Sequence, residues 1–315
     1  MDKYPLHNQT HFYKYTSINT AKCILKSKTF RYSSPILFND PFDVQTELLF
    51  DFDLEIYSQK LVDEIEKLAS TDIEIEYQGI HPWKQAIELL RLQVKTEGKI
   101  NRELKEGLLL IVSPLIKEYE KLRYDYNIEW RKTLKAMRVF SMSIRNDNIL
   151  MWSHYGQNHT GVVFKLKVLP EIDNLLCIAE PIIYKPLPLT FFTLQDWIKD
   201  TLGIERLKDY DLFHNYAKIK FDLWQDEKEW RVWSYDWDSI DKSYYSSDSY
   251  NIPKEFLYND YAIIPEEIEC IYFGCNSSDN DINEIKILGC DLNKNIKYYK
   301  TQKVIGKYAL EFKEI

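Results

Sequence analysis

The sequence predicts an α+β fold on a mixed, largely antiparallel sheet, interrupted by a helical insert. Three observations predict it. Aromatic and β-branched runs with period-two alternation lie towards both ends of the chain. Between residues 53 and 135 the apolar period becomes helical. No internal repeat, GxGxxG or P-loop is present. Residues 1–52 and 136–315 therefore read as one α+β domain, and 53–135 as an insertion.

The elements follow in order. H-F-Y-K-Y-T-S is an alternating strand, and Ser17 or Asn19 caps a short helix through I-N-T-A-K-C-I-L-K-S. T-F-R-Y-S-S is a second strand, and Asn39-Asp40-Pro41 in F-N-D-P-F-D marks a turn. The insert holds three or four Glu/Lys-rich helices with solvated charged faces. The strand pattern resumes at M-R-V-F-S-M-S (137–143). A short helix, D-N-I-L-M-W-S-H-Y-G, then leads through Q-N-H-T-G to the strand V-V-F-K-L-K. C-I-A-E-P-I-I-Y reads as another strand, and two helical stretches fill residues 194–221. A Ser/Asp/Tyr loop follows at 236–251. Strands at I-E-C-I-Y-F-G, N-I-K-Y-Y-K-T and G-K-Y-A-L-E-F-K close the chain, with a helix over D-N-D-I-N-E-I-K-I-L.

Composition narrows the function classes. Of 315 residues, 45% are hydrophobic and 29% charged, which suits a globular core. The formal net charge of -8 gives no support to a general nucleic-acid coat, leaving only a local basic patch. Five scattered cysteines without C-x-x-C read as reduced thiols, mostly core filler, in a cytoplasmic protein. No run reaches the roughly 18 apolar residues of a membrane span, so no membrane partner is expected.

Four constellations could carry chemistry. In W-Q-D-E-K-E-W-R (224–231), strand alternation places Glu227, Glu229 and Arg231 on one face and Lys228 and Trp230 on the other. This is either a solvated ion-paired face or a paired-carboxylate site in a cleft. In M-W-S-H-Y-G-Q-N-H-T-G, Met151, Trp152 and Tyr155 pack while His154 projects elsewhere. His154 and His159 are about 140° apart on a helix and make no metal pair. Ser141 and Ser143 share a strand face without a nucleophile elbow. Asn39 and Asp40 read in isolation as an Asx turn.

Together, Y-K-Y-T-S, F-N-D-P-F-D, M-W-S-H-Y-G-Q-N-H-T-G-V-V-F and K-I-K-F-D-L-W-Q-D-E-K-E-W-R resemble the bacterial domain-of-unknown-function family 2971. Lys220, Trp224, Glu227, Glu229 and Arg231 are the most specific part. More loosely, the strand-helix-strand start, S-x-S strand, aromatic helix and late E-x-E strand resemble the ADP-ribosyltransferase layout. That resemblance implies NAD as the consumed small molecule, no metal, and an ADP-ribosyl transferase or NAD glycohydrolase. Such an enzyme would serve as a toxin or phage-defence effector acting on a macromolecule. It makes Glu229 the catalytic glutamate, beside the oxocarbenium-like charge, and Glu227 the residue positioning the acceptor, with Arg231 and His154 in the same cleft. Ser141 or Ser143 matches the serine strand, and Tyr155 stacks on nicotinamide. Where the superfamily has His or Arg on the first strand, this chain has Tyr13, Lys14 and Tyr15, and Asn39 and Asp40 complete the cleft. Two alternatives stand beside it. One is a metal-dependent nucleic-acid-processing enzyme, with Asp40, Glu227 and Glu229 on Mg²⁺ and Lys220 on phosphate. The other is a non-catalytic binding module, which a cleft without convergent polar residues would favour.

Overall fold

The computed structural model describes residues 5–50, 54–71, 74–78, 82–186, 190–205, 209–238 and 252–315. In chain order the first strands are β1 His11–Thr16, β2 Thr29–Ser33, β3 Leu49–Phe50, β4 Met137–Ser143, β5 Val162–Lys167, β6 Glu180–Pro181 and β7 Ile183–Lys185. They continue as β8 Thr190–Phe192, β9 Ile219–Phe221, β10 Glu229–Tyr235, β11 Tyr258–Ala262, β12 Ile268–Phe273, β13 Lys297–Lys303 and β14 Leu310–Glu314. The helices are α1 Ile18–Ser27, α2 Leu54–Ala69, α3 Pro82–Glu97, α4 Arg102–Val112 and α5 Leu115–Ala136. After them come α6 Ile149–His154, α7 Leu194–Thr201, α8 Asp209–Ala217 and α9 Asp279–Leu292. The fold is α+β with a mixed, largely antiparallel sheet. Most of the Ser/Asp/Tyr loop expected at 236–251 lies outside the described residues.

The chain forms two compact units: Met1–Gln45, Leu134–Pro186 and Lys218–Ile315 make one, and Thr46–Thr133 with Leu187–Ala217 the other. The first carries the large sheet, ordered β11-β2-β4-β1-β5-β12-β13-β14, with β10 paired to β4 and β6. Its pairs are antiparallel except β12 with β13. Alternation gives each strand two faces. One face presents Phe12, Phe140, Met142, Phe164, Val232 and Ile271 to the apolar sides of α1 and α9, among them Leu25 and Ile285. Burying each such side chain contributes about 1.5–3 kcal/mol. Ser17 caps α1, its Oγ accepting from Thr20 N–H. On the other face α6 sets Met151 and Trp152 against Tyr15, Val163 and Tyr272.

In the second unit α2 packs against both α3 and α4. An aromatic cluster forms where Phe191 meets Phe50, Tyr126 and Phe213. Tyr57, Tyr119 and Thr201 share a hydroxyl triangle with edges of 2.6–2.9 Å.

Several sequence expectations need correction. C-I-A-E-P-I-I-Y is not one strand: Leu175–Ile178 is a 3-10 turn, followed by the two-residue β6 and by β7. Pro181 brings no N–H to the ladder, which accounts for the short pairing. The second helical stretch ends at Ala217, and Ile219–Phe221 instead pairs in parallel with β7. The cysteines are all free, but only Cys177 and Cys270 are buried, while Cys23 and Cys290 are exposed. Among the described residues no helix is long and apolar enough to cross a membrane.

Candidate functional site

β10, β4 and β1 lie side by side, and register decides what they present. Glu229 and Tyr13 both stand opposite Ser143, and Arg231 stands opposite Ser141. Directly opposed residues point the same way, so Tyr13, Ser141, Ser143, Glu229 and Arg231 share one sheet face. β1 and β4 meet through a single bridge at Tyr13 and Ser143. A cavity of about 460 Å³ adjoins this face. Its wall includes Tyr13, Lys14, Tyr15, Asn39, Ser141, His154, Tyr155, Glu227 and Glu229.

Glu227 does not sit on the strand, as alternation had placed it. Asp222–Glu227 is a 3-10 turn closed by Lys228 in the left-handed region at φ 48°. β10 starts one residue later, and the turn folds Glu227 back beside Glu229. The two carboxylates meet on Lys220, which β9 supplies through its pairing with β7. Lys220 Nζ donates to Glu227 Oε2 at 2.7 Å and to Glu229 Oε2 at 2.9 Å. Arg231 donates from Nε to Glu229 Oε1 at 2.7 Å and from Nη2 to Oε2 at 3.1 Å. A third carboxylate enters from the loop after β2: Asp43 Oδ2 accepts from Arg231 Nη2 and lies 3.4 Å from Lys220 Nζ. All five side chains are at least nine-tenths buried.

The electrostatics separate the two glutamates. Burial pushes the Glu229 carboxyl up, but Arg231 and Lys220 outweigh it and hold it well below the usual carboxylate range. Glu227 moves the other way. Burial raises it, Lys220 opposes and Glu229 adds to the rise. Tyr155 donates its hydroxyl to Glu227 Oε1 at 2.9 Å. Burial also lowers the Lys14 ammonium to about 8, against the pull of Glu229. Lys14 Nζ donates to Ser141 O at 2.7 Å and lies 4.7 Å from the Phe140 ring centroid.

Other sequence candidates have structural duties. Ser143 Oγ donates to Glu227 O and accepts from Arg145 N–H, tying the turn to β4. Asp40 Oδ1 accepts from Phe42 N–H in an Asx turn, and Asp40 is not on the cavity wall. Tyr15 donates to Arg145 O from the wall, and exposed His154 lies edge-on to Trp224. Arg231 is fully buried behind Glu229. The sequence reading gave no role to Asp43, which ended the F-N-D-P-F-D motif, and gave Lys220, seven residues before Glu227, only a phosphate contact in the metal-dependent alternative. It also missed Tyr184, whose hydroxyl accepts from Glu229 N–H at 2.8 Å. Among the described residues no group of three or more His, Cys, Asp or Glu side chains is arranged to hold a metal ion.

Comparison with known proteins adds one similarity. Residues 151–232 match the family described as protein of unknown function (DUF2971). The match takes in Tyr155, Lys220, Glu227, Glu229 and Arg231, while Lys14, Asp43 and Ser141 precede it. No curated protein and no solved structure matches the chain.

Proposed function

We propose that the cleft binds NAD and cleaves its nicotinamide–ribose bond, passing the ADP-ribosyl group to water or a macromolecular acceptor. The observation that carries this reading is the buried set of Asp43, Glu227 and Glu229 paired with Lys220 and Arg231, at the wall of an aromatic-lined cavity. Three carboxylates meet two cations in direct contact, an excess of one negative charge when Glu227 is ionised and the nearby Lys14 is neutral. A fixed negative field away from bulk water stabilises positive charge developing on a sugar ring. A cavity of this size is within the range of small-molecule sites. Convergent polar groups also argue against a plain binding module.

The geometry favours a division of labour other than the resemblance implies. Both oxygens of Glu229 are engaged by guanidinium and ammonium donors, so Glu229 is read as the fixed charge. Glu227, raised by burial and oriented by Tyr155, is read as the proton acceptor. The carbon–nitrogen bond to nicotinamide breaks with its electron pair leaving on the ring nitrogen. The acceptor oxygen or nitrogen bonds to the sugar carbon, and its proton passes to Glu227.

The test follows nicotinamide release, and label transfer from adenine-labelled NAD, with and without cell lysate. Glu227→Gln is expected to lower kcat by about 10²–10⁴-fold, with a smaller loss of stability than Glu229→Gln because Lys220 keeps Glu229 and Asp43. Glu229→Gln, which unbalances a buried ion pair, is expected to lose several kcal/mol of stability. Absence of both turnover and an NAD-induced thermal shift in the wild type overturns the reading.

A further inference from the structure

Asp43 has one oxygen bound and one unpaired. Oδ2 is held by Arg231 and Lys220, whereas Oδ1 is buried and has no hydrogen-bond partner. The residue is only 4% exposed and lines the cavity. An unsatisfied buried acceptor costs roughly 1–3 kcal/mol. The backbone beside it is strained as well. Val44 has φ 68°, in the left-handed region that β-branched residues avoid, and its side chain is buried. Gln45 Nε2 donates to Asp40 O at 2.9 Å and to Phe38 O at 3.3 Å, pinning the loop in this form. Strain and an unmet acceptor on adjacent residues mark a position kept for contact with something absent from the chain itself.

We infer that Asp43 Oδ1 is a ligand-contact atom that accepts a hydrogen bond from the nicotinamide carboxamide and rejects a carboxylate in its place. This rests on the NAD reading of the same cleft and adds the feature by which its ligand is selected. The two cations touching Asp43 are already engaged by Glu227 and Glu229. A ligand carboxylate here would face like charge, while an amide N–H supplies the missing donor. Phe38, on the same loop, and Tyr155 give the cavity aromatic walls for the ring bearing the amide.

The test measures binding of NAD and of nicotinic acid adenine dinucleotide, which differ by amide against carboxylate, to wild type and Asp43→Asn. Wild type is expected to prefer NAD by tenfold or more. In Asp43→Asn the amide oxygen stays with Arg231 and Lys220, turning Nδ2 towards the cavity, so the preference disappears or reverses. Equal wild-type affinity for both dinucleotides overturns the inference and leaves the NAD reading standing. Binding of neither overturns both. A wild-type preference that persists unchanged in Asp43→Asn removes Asp43 from the role. The wild-type comparison decides the selectivity by itself if the variant does not fold.

Discussion

Glu229 and Glu267 are almost equally buried in the same unit, at 6% and 7% exposure, yet their carboxyls move in opposite directions. Glu229 touches two cations. Glu267 has an amide for a partner, its Oε1 accepting from Asn174 Nδ2 at 2.9 Å. Burial therefore dominates at Glu267 and pushes it from the ordinary 4.5 up to about 7, with Asn174 opposing. The raised value fixes the sign of the linkage. Below pH 4.5 the folded and unfolded chains both hold the proton, and its full contribution is present. As pH climbs towards 7 the unfolded chain releases the proton first, so stability falls, on the order of 3 kcal/mol across the interval. Glu267→Gln mimics the protonated acid and should flatten this part of the profile. It should also exceed wild-type stability above pH 7. Tm against pH for both proteins checks this, and parallel profiles would remove Glu267 as the source.

At the scale of elements, the junction between the 222–227 turn and β10 sets the distance between Glu227 and Glu229. Lys228 is exposed and left-handed, so its side chain adds no packing and its backbone bears the strain. Lys228→Val should cost roughly 1–2 kcal/mol, because a β-branched residue resists this conformation. Lys228→Gly should be neutral or stabilising by up to about 1 kcal/mol. Urea denaturation of the pair checks it, and equal stabilities would show that the turn does not depend on the left-handed residue. This junction also marks where the sequence stopped being readable. Period-two alternation disclosed β1, β4, β5 and the shared face of Glu229 and Arg231, because alternation is local. It carried Glu227 onto the wrong element because nothing in Q-D-E-K-E signals a left-handed lysine, a place more often held by Gly or Asn. Lys220 reaches the carboxylates through the parallel β7–β9 pairing, and Asp43 reaches Arg231 and Lys220 from the loop after β2. Both are tertiary outcomes without a periodic signature.

Across the whole molecule, the cleft draws on all three segments of its unit. Tyr13 and Asp43 come from the first, Ser141 and Tyr155 from the second, and Lys220, Glu227, Glu229 and Arg231 from the third. The third segment holds four of the five buried charged side chains but neither Asp43 nor the Tyr13 and Tyr155 walls, so binding is tied to assembly of that unit as a whole. A ligand that binds only the assembled form stabilises it by about 2.7 kcal/mol at a hundredfold excess over Kd. Hydrogen exchange through global opening then slows by roughly the same hundredfold. NAD is accordingly expected to protect amides in β1, β4 and β10 together. Helices α3 and α4 in the second unit should keep their exchange rates. Equal protection of α3 and α4 would show that the two units open as one cooperative body. Protection confined to the 38–43 loop would show a local site that does not depend on the assembled sheet.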